Sequence, residues 1–189
     1  MILKTALKRK DYNYIYSNRG MGLEDDLNST NEYYLNQNIA VIYKKPTPIT
    51  INRVDYKSRS DAIIREAHFK IPSTTDYNGV YKGKYIDFEA KETKNKNSFP
   101  LSNIHNHQIK HLKSITEHGG IGFIIVRFSS LNETYYLSCN NLLNFINNEE
   151  RKSIPLDYFK QNGYLIKEGL RPRLNYLKII DKELGDIDG

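Results

Sequence analysis

Thr74-Thr75-Asp76-Tyr77-Asn78-Gly79-Val80-Tyr81-Lys82-Gly83-Lys84-Tyr85-Ile86-Asp87-Phe88-Glu89-Ala90-Lys91 reads as a β-hairpin. Two β-prone runs, 77–81 and 85–90, flank a Lys82-Gly83 pair in which glycine supplies the positive φ of a tight turn. A two-residue loop sets Tyr81 opposite Lys84, and the same register carries Asp76 directly across from Glu89. Side chains alternate along a strand, so Tyr85, Asp87, Glu89 and Lys91 share one face while Ile86, Phe88 and Ala90 share the apolar other.

Two neighbouring carboxylates repel unless a hard cation lies between them, and Mg²⁺ held by one or two carboxylates, waters and phosphate oxygens is the usual outcome. A lysine two residues past the second acid can orient a water or offset charge that develops on a phosphate. The order Asp, hairpin, Glu-x-Lys is the core of the PD-(D/E)xK nuclease pattern. A Glu-x-Lys triplet is common, and the same residues also read as a solvated hairpin face with cross-strand ion pairs.

The 189 residues suit a single domain, 1–189, with an arm and an insertion. A net charge of +6, with 15 tyrosines among many Lys and Asn, points to an anionic partner, nucleic acid before acidic membrane. One cysteine, Cys139, excludes an internal disulfide framework and a Cys-based zinc site. No apolar run reaches the roughly 20 residues of a membrane span, and the start lacks a signal-peptide core. A cytoplasmic location is therefore expected.

Residues 1–17 carry Lys4, Lys8, Arg9 and Lys10 without helical periodicity and read as a flexible basic arm suited to phosphates, or as an untethered terminus. Leu23, Leu27, Thr30 and Tyr34 recur at helical spacing and predict a helix over about 22–36. Glu24 in its first turn is either an auxiliary acid of the site or a partner of the helix dipole. Residues 39–43 suit a short buried strand, stopped by Pro46 and Pro48. From 44 to 70, seven Lys and Arg face three Asp and Glu. This segment, extended to 73, reads as an insertion beside the site with a short helix over 60–68; a plain crossover helix is the other reading.

Beyond the hairpin, Pro100-Leu101-Ser102 predicts a helix capped by Ser102 and ended by Gly119-Gly120, with Ile104, Gln108, Leu112 and Ile115 on one stripe. A glutamine on that stripe needs an amide partner: a cation, its water, or an ordinary buried acceptor or donor. His105, His107, His111 and His118 on the same helix read as surface residues. Residues 121–128, apolar on both faces, form a central strand; 134–139 follow as the next. Leu142 to Ile146 continue as a helix, Pro155 opens a short one through Gln161, and 175–180 close the sheet or run along its edge. The fold class is α/β, a mixed central sheet flanked by helices.

Asn18-Arg19-Gly20-Met21, Thr30-Asn31, Lys44-Lys45-Pro46-Thr47-Pro48, Ser73 to Gly79, Tyr85 to Lys94, His107-Gln108 and Pro172-Arg173 together resemble the RecU-type Holliday junction resolvases. The resemblance runs from Asn18 over nearly the whole chain, with a shorter arm before it than in the family. It implies a restriction-endonuclease-like fold and a homodimeric, Mg²⁺-dependent endonuclease, with Mn²⁺ able to substitute, that resolves four-way DNA junctions by paired symmetric nicks in recombination and repair. The family's metal positions match Thr74, Asp76, Glu89 and Gln108, and its catalytic lysine matches Lys91, so that Asp76, Glu89 and Lys91 carry the chemistry. Its protruding stalk matches 44–73, with Lys44, Arg59, Arg65 and, ahead of the first helix, Arg19 gripping DNA. Recombinase and branch-migration proteins are further partners that the resemblance implies. A factor that binds or bridges junctions and modulates a recombinase without cutting is the alternative function.

Overall fold

The computed structural model describes residues 22–56, 58–70 and 74–187. The basic arm and Arg19 lie outside them. Helix α1 (Leu23–Asn36) leads into strand β1 (Val41–Lys44), then β2 (Ile49–Asp55) and β3 (Ile63–Phe69), and the hairpin β4 (Tyr77–Tyr81) and β5 (Lys84–Thr93). Next come β6 (Ser98–Pro100), α2 (Asn106–Glu117), β7 (Ile121–Phe128), β8 (Glu133–Ser138) and α3 (Cys139–Asn148). Strand β9 (Ser153–Pro155), α4 (Leu156–Asn162), β10 (Tyr164–Leu165) and α5 (Leu177–Ile187) complete the chain.

A six-stranded mixed sheet in the order β1-β4-β5-β7-β8-β10 organises these elements. β5 and β7 run parallel, joined by the crossover that contains α2, and the other neighbours are antiparallel. β7 is buried on both faces, as its unbroken apolar run requires. Phe123 and Ile125 pack toward α1 and α5, where Leu27, Tyr34, Leu177 and Ile180 complete one core. Ile124, Val126 and Phe128 pack toward α2, α3 and α4 with Leu112, Leu142, Phe145 and Phe159. Tyr77, Phe88 and Phe123 stack across three adjacent strands, with centroids 4.8 and 4.7 Å apart.

Four expectations need correction. The helix over 60–68 is instead a 3₁₀ turn, Arg59–Asp61, followed by β3, which pairs antiparallel with β2. The β-branched residues Ile49, Thr50, Ile51 and Val54 find cross-strand partners in Phe69, His68, Ala67 and Ile64, and this pairing overrides local helical spacing. β1 is a sheet edge and only Ile42 is buried in it, while Val41 and Tyr43 are exposed. Ser102 caps nothing: residues 101–103 form a 3₁₀ turn and α2 starts at Asn106 behind His105. Residues 177–180 open α5, and β10 takes the sheet edge in their place.

The β2–β3 pair forms a ribbon exposed along nearly all its length, with a bulged register around Arg53. Lys70 N–H donates to the Pro48 carbonyl at 2.9 Å and closes its base.

Candidate active site

The hairpin turn fixes the site. Lys82 (φ 47°) and Gly83 (φ 75°) both take left-handed conformations, the pair of angles a two-residue type I′ turn needs. Tyr81 faces Lys84 and Tyr77 faces Phe88, as the sequence predicts. Asp76 lies one residue before the ladder begins, and its Oδ2 accepts from the Ala90 N–H at 3.3 Å, which holds it beside Glu89. Residues 74–76 bend rather than extend β4, so strand alternation does not set the relation of Thr74 to Asp76; Thr74 is a half-buried bend residue.

Glu89 is 0% exposed, and Lys91 Nζ stands 2.6 Å from its Oε1. That contact is an ion pair by distance, yet among the described residues no donor meets either Glu89 oxygen in hydrogen-bonding geometry. Burial, then the Asp76 carboxylate, pushes the Glu89 carboxyl up to about 7 against the opposing pull of Lys91. A fully buried carboxylate with open lone pairs beside a second acid is a site that wants a cation. Among the described residues no cluster of three His, Cys, Asp or Glu is arranged to hold a metal. Two carboxylates, with water and phosphate oxygens to fill the shell, are nevertheless the donor set that Mg²⁺ commonly takes.

The raised carboxyl makes a stability prediction for the metal-free protein. Between the unfolded value near 4.5 and the folded value of about 7, the folded state binds more protons than the unfolded, so this group lowers stability as pH rises through that window. Thermal melts in chelator are expected to show Glu89→Gln gaining on the parent chain between pH 5 and 8, by a few kcal/mol at most. Parallel pH profiles for the two proteins would contradict the assigned cause.

Helix α2 covers this face. Gly122, beside Asp87 on the parallel ladder, allows the close approach: a Cβ there would stand 2.8 Å from Thr116 Oγ1 and 2.9 Å from the Leu112 carbonyl. Gln108 is buried, and its Oε1 accepts from the His105 N–H at 3.0 Å in a capping box, so its carbonyl is satisfied by its own helix start. His111 is no surface residue, since its Nε2 lies 3.2 Å from Asp87 Oδ2. His107 is half-buried, with a buried Nε2 that has no hydrogen-bond partner.

Of the cations expected on DNA, Lys44 ends β1 and pairs with Glu24, which places the acid of the first helix turn at that sheet edge. Arg65 pairs with Asp55 across the ribbon at 2.7 Å. Arg59 lies in the 3₁₀ turn between the ribbon strands. Exposed pairs of this kind are worth little and exchange readily for phosphate.

Sequence reasoning missed Asp87 and the four residues that converge on its buried carboxylate, Lys45, Thr75, Tyr85 and His111. The signal was Asp87, an acid on the same strand face as Glu89. It also left the purpose of Glu92 open. Glu92 Oε2 accepts from the Leu23 N–H at 3.4 Å and caps the start of α1. Two separate sequence blocks also meet: Arg173 pairs with Asp26 at 3.0 Å, Thr30 Oγ1 accepts from the Leu174 N–H at 2.9 Å, and Tyr176 OH donates to Asn31.

Known proteins resemble this chain along most of its length. Residues 18–182 match the family model RecU, Recombination protein U. "Holliday junction resolvase RecU" of Geobacillus kaustophilus (strain HTA426) is 59% identical over 169 residues, 88% of this chain and 84% of that one. Its namesake in Bacillus cereus (strain AH820) is 53% identical over 181 residues, 94% of this chain and 88% of that one. A solved structure of Archaeoglobus fulgidus Hjc, a Holliday junction resolvase from an archaeal hyperthermophile, aligns with a TM-score of 0.44 and 11% identity over 76% of this chain and 93% of that one.

Proposed function

The chain belongs to the Recombination protein U (RecU) family, and from that premise we propose that it is a Holliday junction resolvase, a homodimeric endonuclease of the cytoplasm that nicks four-way DNA junctions symmetrically. The observation that carries the chemistry is the buried Glu89 carboxylate with unmet oxygens, beside Asp76 and within 2.6 Å of Lys91. Asp76 and Glu89 would hold Mg²⁺, or Mn²⁺ in its place, with Thr74 and Gln108 completing the surroundings. Such an ion supplies Lewis acidity toward a phosphate oxygen and lowers the pKa of a bound water.

The chain's own groups do the rest. Glu89 must lose its proton to serve as a ligand, and Lys91 favours that loss. The Lys91 ammonium also sets positive charge where the phosphate gains negative charge as water adds and the 3′ oxygen leaves, giving a 5′-phosphate. A two-fold dimer matches the two-fold symmetry of a junction and places one site on each of two opposing strands.

A synthetic four-way junction incubated with and without Mg²⁺, then run on a denaturing gel, tests this reading. Symmetric nicks that need the metal support it, whereas a shifted but uncut junction supports a factor that binds or bridges without cleaving. The β2–β3 ribbon with its base is the proposed grip. Replacing Lys44, Arg59 and Arg65 together by Gln is expected to weaken junction binding and to flatten the slope of log K against log salt by up to about 0.9 for each phosphate no longer neutralised. An unchanged slope in a salt titration would remove the ribbon from binding.

A further inference from the structure

The hairpin places two acids on one strand face, Asp87 and Glu89, and both are fully buried. Their surroundings differ. Among the described residues no hydrogen bond meets either Glu89 oxygen, whereas both Asp87 oxygens are bonded. Its Oδ2 accepts from Lys45 Nζ at 2.8 Å and from Tyr85 OH at 3.0 Å and lies 3.2 Å from His111 Nε2, and its Oδ1 accepts from the Thr75 hydroxyl. Four partners thus surround Asp87, three at Oδ2 and one at Oδ1, and tie it to the protein around it.

Two of those partners reach the segment that carries Asp76. Lys45 Nζ donates to Thr75 Oγ1 at 2.9 Å as well as to Asp87, and the Lys45 N–H donates to the Asp76 carbonyl at 2.7 Å. The contacts close a ring from Asp87 through Lys45 to the Asp76 backbone and back through Thr75. Asp76 stands outside the β4–β5 ladder, whose first pair is Tyr77 with Phe88. Pairing with β5 therefore does not fix it; the backbone bond from Lys45, one step past the last β1–β4 pair, holds its carbonyl, and the Lys45–Thr75–Asp87 side chains and the single bond from Ala90 hold the rest.

We propose that Asp87 is a positioning residue, acting through Lys45 and Thr75 to hold Asp76 against Glu89 and so to set the affinity of the site for its divalent cation. The proposal rests on the reading of Asp76 and Glu89 as metal ligands. Outer groups that orient metal ligands commonly change affinity 10- to 100-fold when removed. Thr75→Val deletes one hydroxyl at nearly constant volume, and Lys45→Met deletes the ammonium while keeping the stem.

The test measures Mn²⁺ binding to the full chain without DNA, for the parent, Thr75→Val, Thr75→Ser, Lys45→Met and Asp76→Ala. Thr75→Val and Lys45→Met are expected to weaken Mn²⁺ binding about tenfold, and Thr75→Ser to restore it. Amide exchange at Ala90, whose N–H is donated to Asp76, is expected to quicken in metal-free Thr75→Val while the thermal midpoint stays near that of the parent. Parent-like Mn²⁺ affinity in both variants, with Asp76→Ala impaired, would overturn the proposal alone. Parent-like affinity in Asp76→Ala would overturn the ligand reading first and this proposal with it. A collapse of the metal-free midpoint in both variants would mark the ring as ordinary core and overturn the positioning role.

Discussion

Asp76→Ala and Lys91→Ala are each expected to reduce nicking of a four-way junction on the order of 10²- to 10³-fold, the range seen when one charged partner of a preorganised site is removed, while junction affinity is expected to stay within a few-fold. The two variants fail for different reasons. Asp76→Ala removes one of two carboxylates and with it the neighbour that raises Glu89. Lys91→Ala removes the cation 2.6 Å from Glu89, so the Glu89 carboxyl rises further and any residual activity shifts to higher pH. Gel-based rates across pH, paired with mobility-shift affinities, separate the two. Normal cleavage by either variant would take that residue out of the mechanism.

Asp26→Ala is expected to destabilise the fold by about 3–5 kcal/mol, as breaking a buried ion pair from one side does. Asp26 is 1% exposed and meets Arg127 at 2.6 Å and Arg173 at 3.0 Å, one cation from the central strand β7 and one from the segment ahead of α5. Removing the carboxylate takes away the nearer anion of both guanidinium groups and leaves them to Glu168, 3.6 Å from Arg127 and 3.5 Å from Arg173. Denaturant melts read the loss directly, and a midpoint within about 0.5 kcal/mol of the parent, the range of ordinary surface changes, would show that the network is not structural.

The hairpin was legible because its information is local. A two-residue turn and strict alternation place Glu89 and Lys91 and bring Asp76 to the end of the ladder beside them, and the apolar run 121–126 in β7 announces a covered strand. The ribbon was not legible, because Ile63 and Ile64 fit a helical stripe as well as a strand. What decides between them is a partner strand earlier in the chain, beyond the reach of any local window. The start of α2 was misplaced because Ser102 is a good capping residue, while the working cap is a box between His105 and Gln108. Asp87 escaped notice for a third reason: its partners Lys45, Thr75 and His111 come from three separate segments, and spacing along a chain does not encode such a meeting.

The Lys82–Gly83 turn sits about 20 Å along β5 from Glu89, at roughly 3.3 Å per residue, yet it acts as the gauge of the whole site. One residue more or fewer in that loop would slide the ladder a single step and swing every side chain of the moving strand through the sheet. Tyr77 and Phe88, which stack across that ladder just before Glu89, would then point to opposite sides with their sequence neighbourhoods unchanged. Loop length at the far tip thus sets the surroundings of Glu89 in this chain from six residues away.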